Sequence, residues 1–175
     1  MKKILILSIC LVMAISAYGQ ANNNSNGLKN GEAAPMLKGV NPLTGQNVQL
    51  QQGKVNLVIF WATWCRFCAQ ELRTPEFAAV VDKYLKNPNF NFIAVSVDEK
   101  VEDIAPFVQK AEYSYIKDFI ISDPERAQFL NYAPKSIPRT YVIGKDGKIF
   151  KSFLGAIDAD AIEVLDEFID TAINK

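Results

Sequence analysis

An α/β fold, with a central mixed sheet flanked by helices and an N-terminal β-hairpin extension, follows from three observations on this 175-residue chain. Two almost continuously apolar, β-prone runs, Val55 to Trp61 and Asn91 to Val97, have the pattern of strands buried on both faces of a sheet. Between them Phe77, Val80, Val81, Tyr84 and Leu85 recur at helical spacing, which completes a strand–helix–strand unit with a right-handed crossover. Further on, Thr140 to Ile143 and Lys148 to Leu154 flank Lys145-Asp146-Gly147, and Asp-Gly between two such runs predicts a hairpin.

The first residues read as an address. Lys2 and Lys3 precede a mostly apolar stretch, Ile4 to Ala17, that is short for a membrane span of about 20 residues. Ala17-Tyr18-Gly19 offers small residues where a signal peptidase cuts, so residues 1–19 are expected to be a signal peptide cleaved before Gln20. The alternative is an uncleaved N-terminal helix that anchors the chain. A lipid anchor on Cys10 is disfavoured, because Ile9 stands where such a signal wants a small residue. Residues 20–33, rich in Asn and Gly, are expected to be a flexible linker, and 34–175 one domain large enough for a sizeable core. Cleavage implies a periplasmic or otherwise exported protein, in a compartment that permits disulfides. Without Lys2 and Lys3 the 19 basic residues become 17 against 19 acidic, a net charge of −2, and no basic patch points to nucleic acid.

Within the domain, Met36 to Val40 and Asn47 to Leu50 are short strand candidates joined by the turn cluster Asn41-Pro42-Leu43-Thr44-Gly45. Val101 to Ala111 reads as a helix if Pro106 falls in its first turn. Asp123 and Pro124 have the order of an N-cap and first helical residue before Glu125 to Leu130. Asp158 caps a last helix whose apolar face is Ala161, Ile162, Leu165, Phe168 and Ile169. Ordinary core packing accounts for these stripes, and none calls for a cofactor.

The chemistry concentrates in Trp64-Cys65-Arg66-Phe67-Cys68, which follows the first apolar run and opens a helical stretch. Two cysteines two residues apart suit a dithiol that cycles between oxidised and reduced forms. A purely structural disulfide across so short a loop constrains little chain entropy. Zinc needs about four ligands, and the chain has three cysteines, one of them in the leader, and no histidine; no metal is expected. Haem attachment wants a histidine after the second cysteine, where Ala69 stands. Two buried free thiols are the remaining alternative.

Phe60-Trp61-Ala62-Thr63-Trp64-Cys65-Arg66-Phe67-Cys68, with Ile137-Pro138-Arg139-Thr140 downstream, resembles the thioredoxin superfamily. The leader and N-terminal extension resemble its TlpA/ResA branch of exported thiol–disulfide oxidoreductases. The resemblance covers roughly residues 34–175 and implies a thioredoxin-like fold. It implies Cys65 as the exposed nucleophile, Cys68 as the buried resolving thiol, Pro138 as a cis-proline facing the disulfide, and Trp61 and Trp64 as flanking residues. Trp64, Ile137 and Pro138 would contact substrate. A buried aspartate of thioredoxin itself is replaced here by Ile59, and the resemblance gives the proton-transfer role to Glu99, the carboxylate after the second apolar run. Asp98 is its neighbour, placed on the other face by strand alternation. The inter-cysteine pair is Arg66-Phe67, the helix proline is displaced to Pro75, and Arg139 stands between Pro138 and Thr140.

A dithiol of this kind works in either direction. Arg66, a cation next to the thiolate, favours the reduced form and hence oxidation of substrates; together with Phe67 it would tune the redox poise. Ile137 before Pro138 resembles the reductants of the superfamily, and the branch resemblance favours reduction. It implies a disulfide-containing protein substrate, apocytochrome c among the options, and a membrane thiol donor of electrons, with the protein a monomer. The alternatives are a dithiol oxidase, a peroxiredoxin-type peroxidase, disfavoured because Thr63 is one position from where that motif wants it, and a non-catalytic binding module, disfavoured by retention of both cysteines.

Overall fold

A computed structural model describes residues 27–132 and 134–175. The expected signal peptide and Cys10 lie outside the described residues, and among these no helix is long and apolar enough to cross a membrane. The strands are β1 (Lys38–Val40), β2 (Asn47–Gln49), β3 (Val55–Trp61), β4 (Phe90–Ser96), β5 (Ile120–Ser122), β6 (Arg139–Ile143) and β7 (Ile149–Leu154). The helices are α1 (Arg66–Leu72), α2 (Pro75–Leu85), α3 (Ile104–Val108), α4 (Ala127–Asn131) and α5 (Ala159–Asn174).

Five strands form one mixed sheet in the order β5-β4-β3-β6-β7, and β1 and β2 pair separately as an antiparallel hairpin. β3 lies at the centre, parallel to β4 and antiparallel to β6. Every residue of β3 is buried, as its continuous apolar sequence requires. The one polar side chain in it, Asn56, is 3% exposed and fully bonded. It donates to the carbonyls of Gln51 (3.0 Å) and Lys54 (2.9 Å) and accepts from the Gln51 amide (2.9 Å) and Asn91 Nδ2 (2.7 Å). This ties the start of β3 to β4 and the preceding turn. At the far edge, Gly39 of β1 lies against β5 so closely that a Cβ there would stand 2.8 Å from Ile121 Cγ2.

The predicted β6–β7 hairpin is present, its turn closed by Gly144 N to Lys148 O (2.9 Å) with Gly147 at a positive φ of 75°. Asp158 caps α5 by accepting from Ala161 N at 3.0 Å, and Ile162, Leu165 and Ile169 are buried as expected. Three readings shift. The helix after Asp123 starts at Ala127 rather than Glu125, because the chain first turns through Arg126 at φ 58°. The Asp123 carboxylate still caps it across that turn, accepting from Gln128 N (3.2 Å) and Phe129 N (2.8 Å). The stretch from Val101 is a 3-10 turn and then α3, with Pro106 in its first turn, and a further 3-10 segment, Ala111–Phe119, leads into β5. Residues 27–33, expected as flexible linker, are tied to the domain: Leu28 N donates to Tyr132 O (3.1 Å), Gly31 N to Ile149 O (2.8 Å), and Ile149 N to Glu32 O (2.8 Å).

Asn56 sits at the opposite end of β3 from the cysteines, so its loss is a stability change alone. Asn56→Ala removes the four hydrogen bonds of a buried amide side chain and is expected to destabilise the domain by about 2–3 kcal/mol in urea unfolding, while leaving the dithiol's equilibrium with glutathione unchanged.

Candidate active site

β3 ends at Trp61, and its last carbonyl accepts Val97 N at 2.9 Å, one residue beyond β4. The chain then turns through Ala62, Thr63 and Trp64, with Cys65 N donating to Ala62 O at 3.1 Å. Cys65 is the N-cap of α1: its backbone is extended and its Sγ accepts the amide of Cys68 at 3.1 Å. The two cysteines are joined as a disulfide with Cα atoms 5.2 Å apart. Free amides at a helix start favour negative charge on the capping sulfur once the disulfide opens. α1 ends at Leu72 because Pro75 restricts Thr74 to extended backbone and starts α2 as its first residue.

Cys65 is only 6% exposed, against 1% for Cys68, so the expected nucleophile is the less buried residue of the pair but not an open one. Its surroundings supply the exposed surface. Trp64 is 60% and Phe67 62% exposed, and Arg66 also faces solvent. The Ile137–Pro138 peptide is cis. Phe67, Ile137 and Pro138 line a groove of about 620 Å³ together with Thr74, Glu71 and Ile157. Trp61 does not flank this opening; it is 1% exposed and packs on the Phe107 ring at 5.2 Å.

The carboxylates depart from expectation. Glu99, expected as a partly buried proton acceptor, points into solvent with its side chain 81% exposed and faces Arg126 at 3.8 Å. β4 ends at Ser96, so strand alternation does not extend to residues 98 and 99, and the inward carboxylate is Asp98, 1% exposed. Asp98 accepts from Thr63 N (3.1 and 3.0 Å to its two oxygens), Thr63 Oγ1 (2.7 Å) and Ser96 Oγ (2.7 Å).

The carboxylate that sequence reasoning missed is Glu71. It follows Cys68 by three residues, which places both on one face of α1, and it is 2% exposed. Thr140 Oγ1 donates to it at 3.3 Å and Ile157 N at 3.1 Å. Burial pushes its carboxyl up from an ordinary 4.5 to about 7, a rise those two hydrogen bonds only partly oppose. Thr140 pairs with Ile59 across β6 and β3. The buried carboxylate absent from Ile59 on the strand is thus supplied from the helix, beside the same strand position. A charged residue one turn after Cys68 and next to buried Leu72 was the available signal.

Comparison with known proteins places residues 29–168 in a match to the Redoxin family model. The chain is 26% identical over 164 residues to the thiol-disulfide oxidoreductase ResA of Bacillus subtilis, covering 91% of this chain and 86% of the relative. It is 25% identical over 173 residues to the thiol:disulfide interchange protein HelX of Rhodobacter capsulatus, covering 93% of each. A crystal structure assigned as the thiol:disulfide interchange protein DsbE from Chlorobium tepidum superposes with a TM-score of 0.71 at 28% identity, over 83% of this chain and 99% of that one.

Glu71 makes stability depend on pH with a definite sign. Its folded value near 7 lies above the ordinary 4.5, so in that window the folded protein holds a proton that the unfolded chain has released. Stability therefore falls as pH rises through the window and levels off above it, by about 3 kcal/mol in total. The chain has no histidine to mask this. Urea midpoints compared at pH 4.5 and pH 8, values set by that window, are expected to fall in the wild type and to fall much less in Glu71→Gln.

Proposed function

We propose that this chain, which belongs to the Redoxin family and is a thiol–disulfide oxidoreductase, works as an exported reductase of protein disulfides. The observation that carries the reading is the Cys65–Cys68 pair at the start of α1, with the nucleophile's sulfur on a backbone amide and an apolar rim beside it. In the reduced protein the Cys65 thiolate attacks one sulfur of a substrate disulfide. That S–S bond breaks, the other substrate sulfur leaves as a thiol after taking a proton, and a mixed disulfide forms. Cys68 then gives its proton to Glu71 and attacks the Cys65 sulfur. The second substrate sulfur is expelled as a thiolate and takes a proton from water, Glu71 returns its proton to water, and the protein is left as the Cys65–Cys68 disulfide, having delivered two electrons. A membrane thiol donor restores the dithiol.

Glu71 suits the proton step because burial holds its carboxyl near 7, where it accepts and returns a proton at working pH. Trp64, Phe67, Ile137 and Pro138 are the substrate-facing residues in this reading, and Arg66 adds a cation at the rim. The reducing direction rests on Ile137 before Pro138, and export on the leader, residues 1–19. Apocytochrome c is one protein disulfide of the class, and the monomer is the simplest form. A peroxidase reading is weaker still, since the Thr63 hydroxyl is engaged by Asp98 at 2.7 Å.

Cys68→Ser is expected to accumulate mixed disulfides with substrate and Cys65→Ser to accumulate none; equal trapping by both would reverse the roles. Glu71→Gln should slow release of the mixed disulfide by about 10²-fold near pH 7, with little effect on its formation. Thiol trapping in living cells should find the pair mostly reduced. A mostly oxidised pair would assign the opposite direction.

A further inference from the structure

Asp98 and Glu99 are adjacent in sequence, yet they reach the two residues before the nucleophile from opposite sides. Inside, Asp98 takes the amide and the hydroxyl of Thr63 and is itself held by Ser96 Oγ at 2.7 Å. Outside, Glu99 faces the Arg126 guanidinium at 3.8 Å, and that guanidinium lies over the Trp64 ring, 5.8 Å from its centroid. Both arms rest on the same frame. Ser96 O accepts Asp123 N at 2.8 Å, and Asp123 O accepts Arg126 N at 2.9 Å, so the turn that carries Arg126 hangs from the end of β4. We propose that Asp98 and Glu99 form a two-sided clamp on the Thr63–Trp64 step: Asp98 directly, Glu99 through Arg126. They are positioning residues, which set where Cys65 and the Trp64 ring stand without touching substrate.

The clamp matters once the disulfide opens. In the oxidised protein the S–S bond itself ties Cys65 to Cys68. In the reduced protein that tie is gone, and the Thr63–Asp98 bonds hold the turn so that the Cys65 sulfur stays on the Cys68 amide. The two arms differ in strength for a physical reason. Asp98 is 1% exposed, so its bonds have little competition from water. The outer pair is 41% and 81% exposed, so water and salt weaken it. The inner arm therefore governs the nucleophile, and the outer arm only biases the indole that substrate meets. This inference rests on Cys65 as the attacking sulfur.

The test uses the full chain, reduced, with two readouts. For the inner arm, Thr63→Val keeps the shape and removes the hydroxyl, while Thr63→Ser keeps the hydroxyl. Capture of Cys65 by iodoacetamide, followed on its peptide by mass spectrometry, should slow about fivefold in Thr63→Val, the worth of one net hydrogen bond, and stay within about twofold of wild type in Thr63→Ser. Both variants retain Asp98, so the test stands even where Asp98→Asn fails to fold. For the outer arm, Arg126→Gln should raise KM for insulin reduction by about two- to fivefold with kcat unchanged, and shift the Trp64 emission. Thr63→Val captured as fast as Thr63→Ser overturns the inner arm; an unchanged KM and emission in Arg126→Gln overturn the outer one. A wild-type protein that reduces no insulin would instead count against the proposed function, and iodoacetamide capture and Trp64 emission would still decide the clamp.

Discussion

β3 is buried along its whole length and pairs with β4 on one side and β6 on the other in one fixed register. That constraint places Trp61 opposite Ser96 and Phe60 opposite Arg139. Every group at the site is measured from there. The cysteine turn leaves the end of β3, the Asp98 loop leaves the end of β4 beside it, and the cis-proline peptide enters β6 on the other side. Three chain segments far apart in sequence converge because three strands share one register. The Asn56 network at the other end of β3 keeps that register from drifting where the strand begins.

Two buried carboxylates serve the segment that carries the cysteines, Asp98 bonded to Thr63 just before it and Glu71 one turn after Cys68 on α1, and their surroundings differ. Asp98 receives amide and hydroxyl donors on both oxygens, which suits a fixed acceptor that holds a turn. Glu71 has one longer bond from Thr140 and one from Ile157, too little to offset its burial, and its carboxyl is pushed up to about 7. A group poised there exchanges protons readily, which a structural anchor need not do. Environments that push neighbouring carboxylates toward different duties are a recurring device for separating proton transfer from positioning.

Much of this was legible in the residues. The continuous apolar run marked β3 with its observed bounds, Val55–Trp61, because a short β-prone apolar run suits a strand buried on both faces better than a helix. Asp146-Gly147 marked the hairpin, and Asp158 marked the start of α5, because turn and cap chemistry is local. The cysteine pair declared itself through spacing alone. What escaped was non-local. Glu71 looks like a helix-surface glutamate until Thr140 and Ile157 are brought onto it from β6 and from the loop before α5. Glu99 follows from the resemblance, and Asp98 is set aside only by extending strand alternation past Ser96, where the ladder has already ended. Residues 27–33 read as linker by composition, but backbone pairing to Ile149 and Tyr132 asks nothing of side chains. The start of α4 was misplaced because a left-handed Arg126 is uncommon for any residue but glycine, asparagine or aspartate.

Supplying the carboxylate from the helix rather than from the strand has a consequence for the proposed chemistry. Ile59 stands on the central strand of the sheet and is 2% exposed. Glu71 lies on α1 and lines the groove that also holds Phe67, Ile137 and Pro138. The side chain is buried, yet it borders the groove that substrate would occupy in the proposed reaction. Substrate seated in that groove excludes water from Glu71, which further disfavours its charge and strengthens its hold on the proton just taken from Cys68. Departure of the reduced substrate readmits water and lets the proton leave. In this arrangement the event that completes disulfide exchange also resets the proton acceptor, with no second group required.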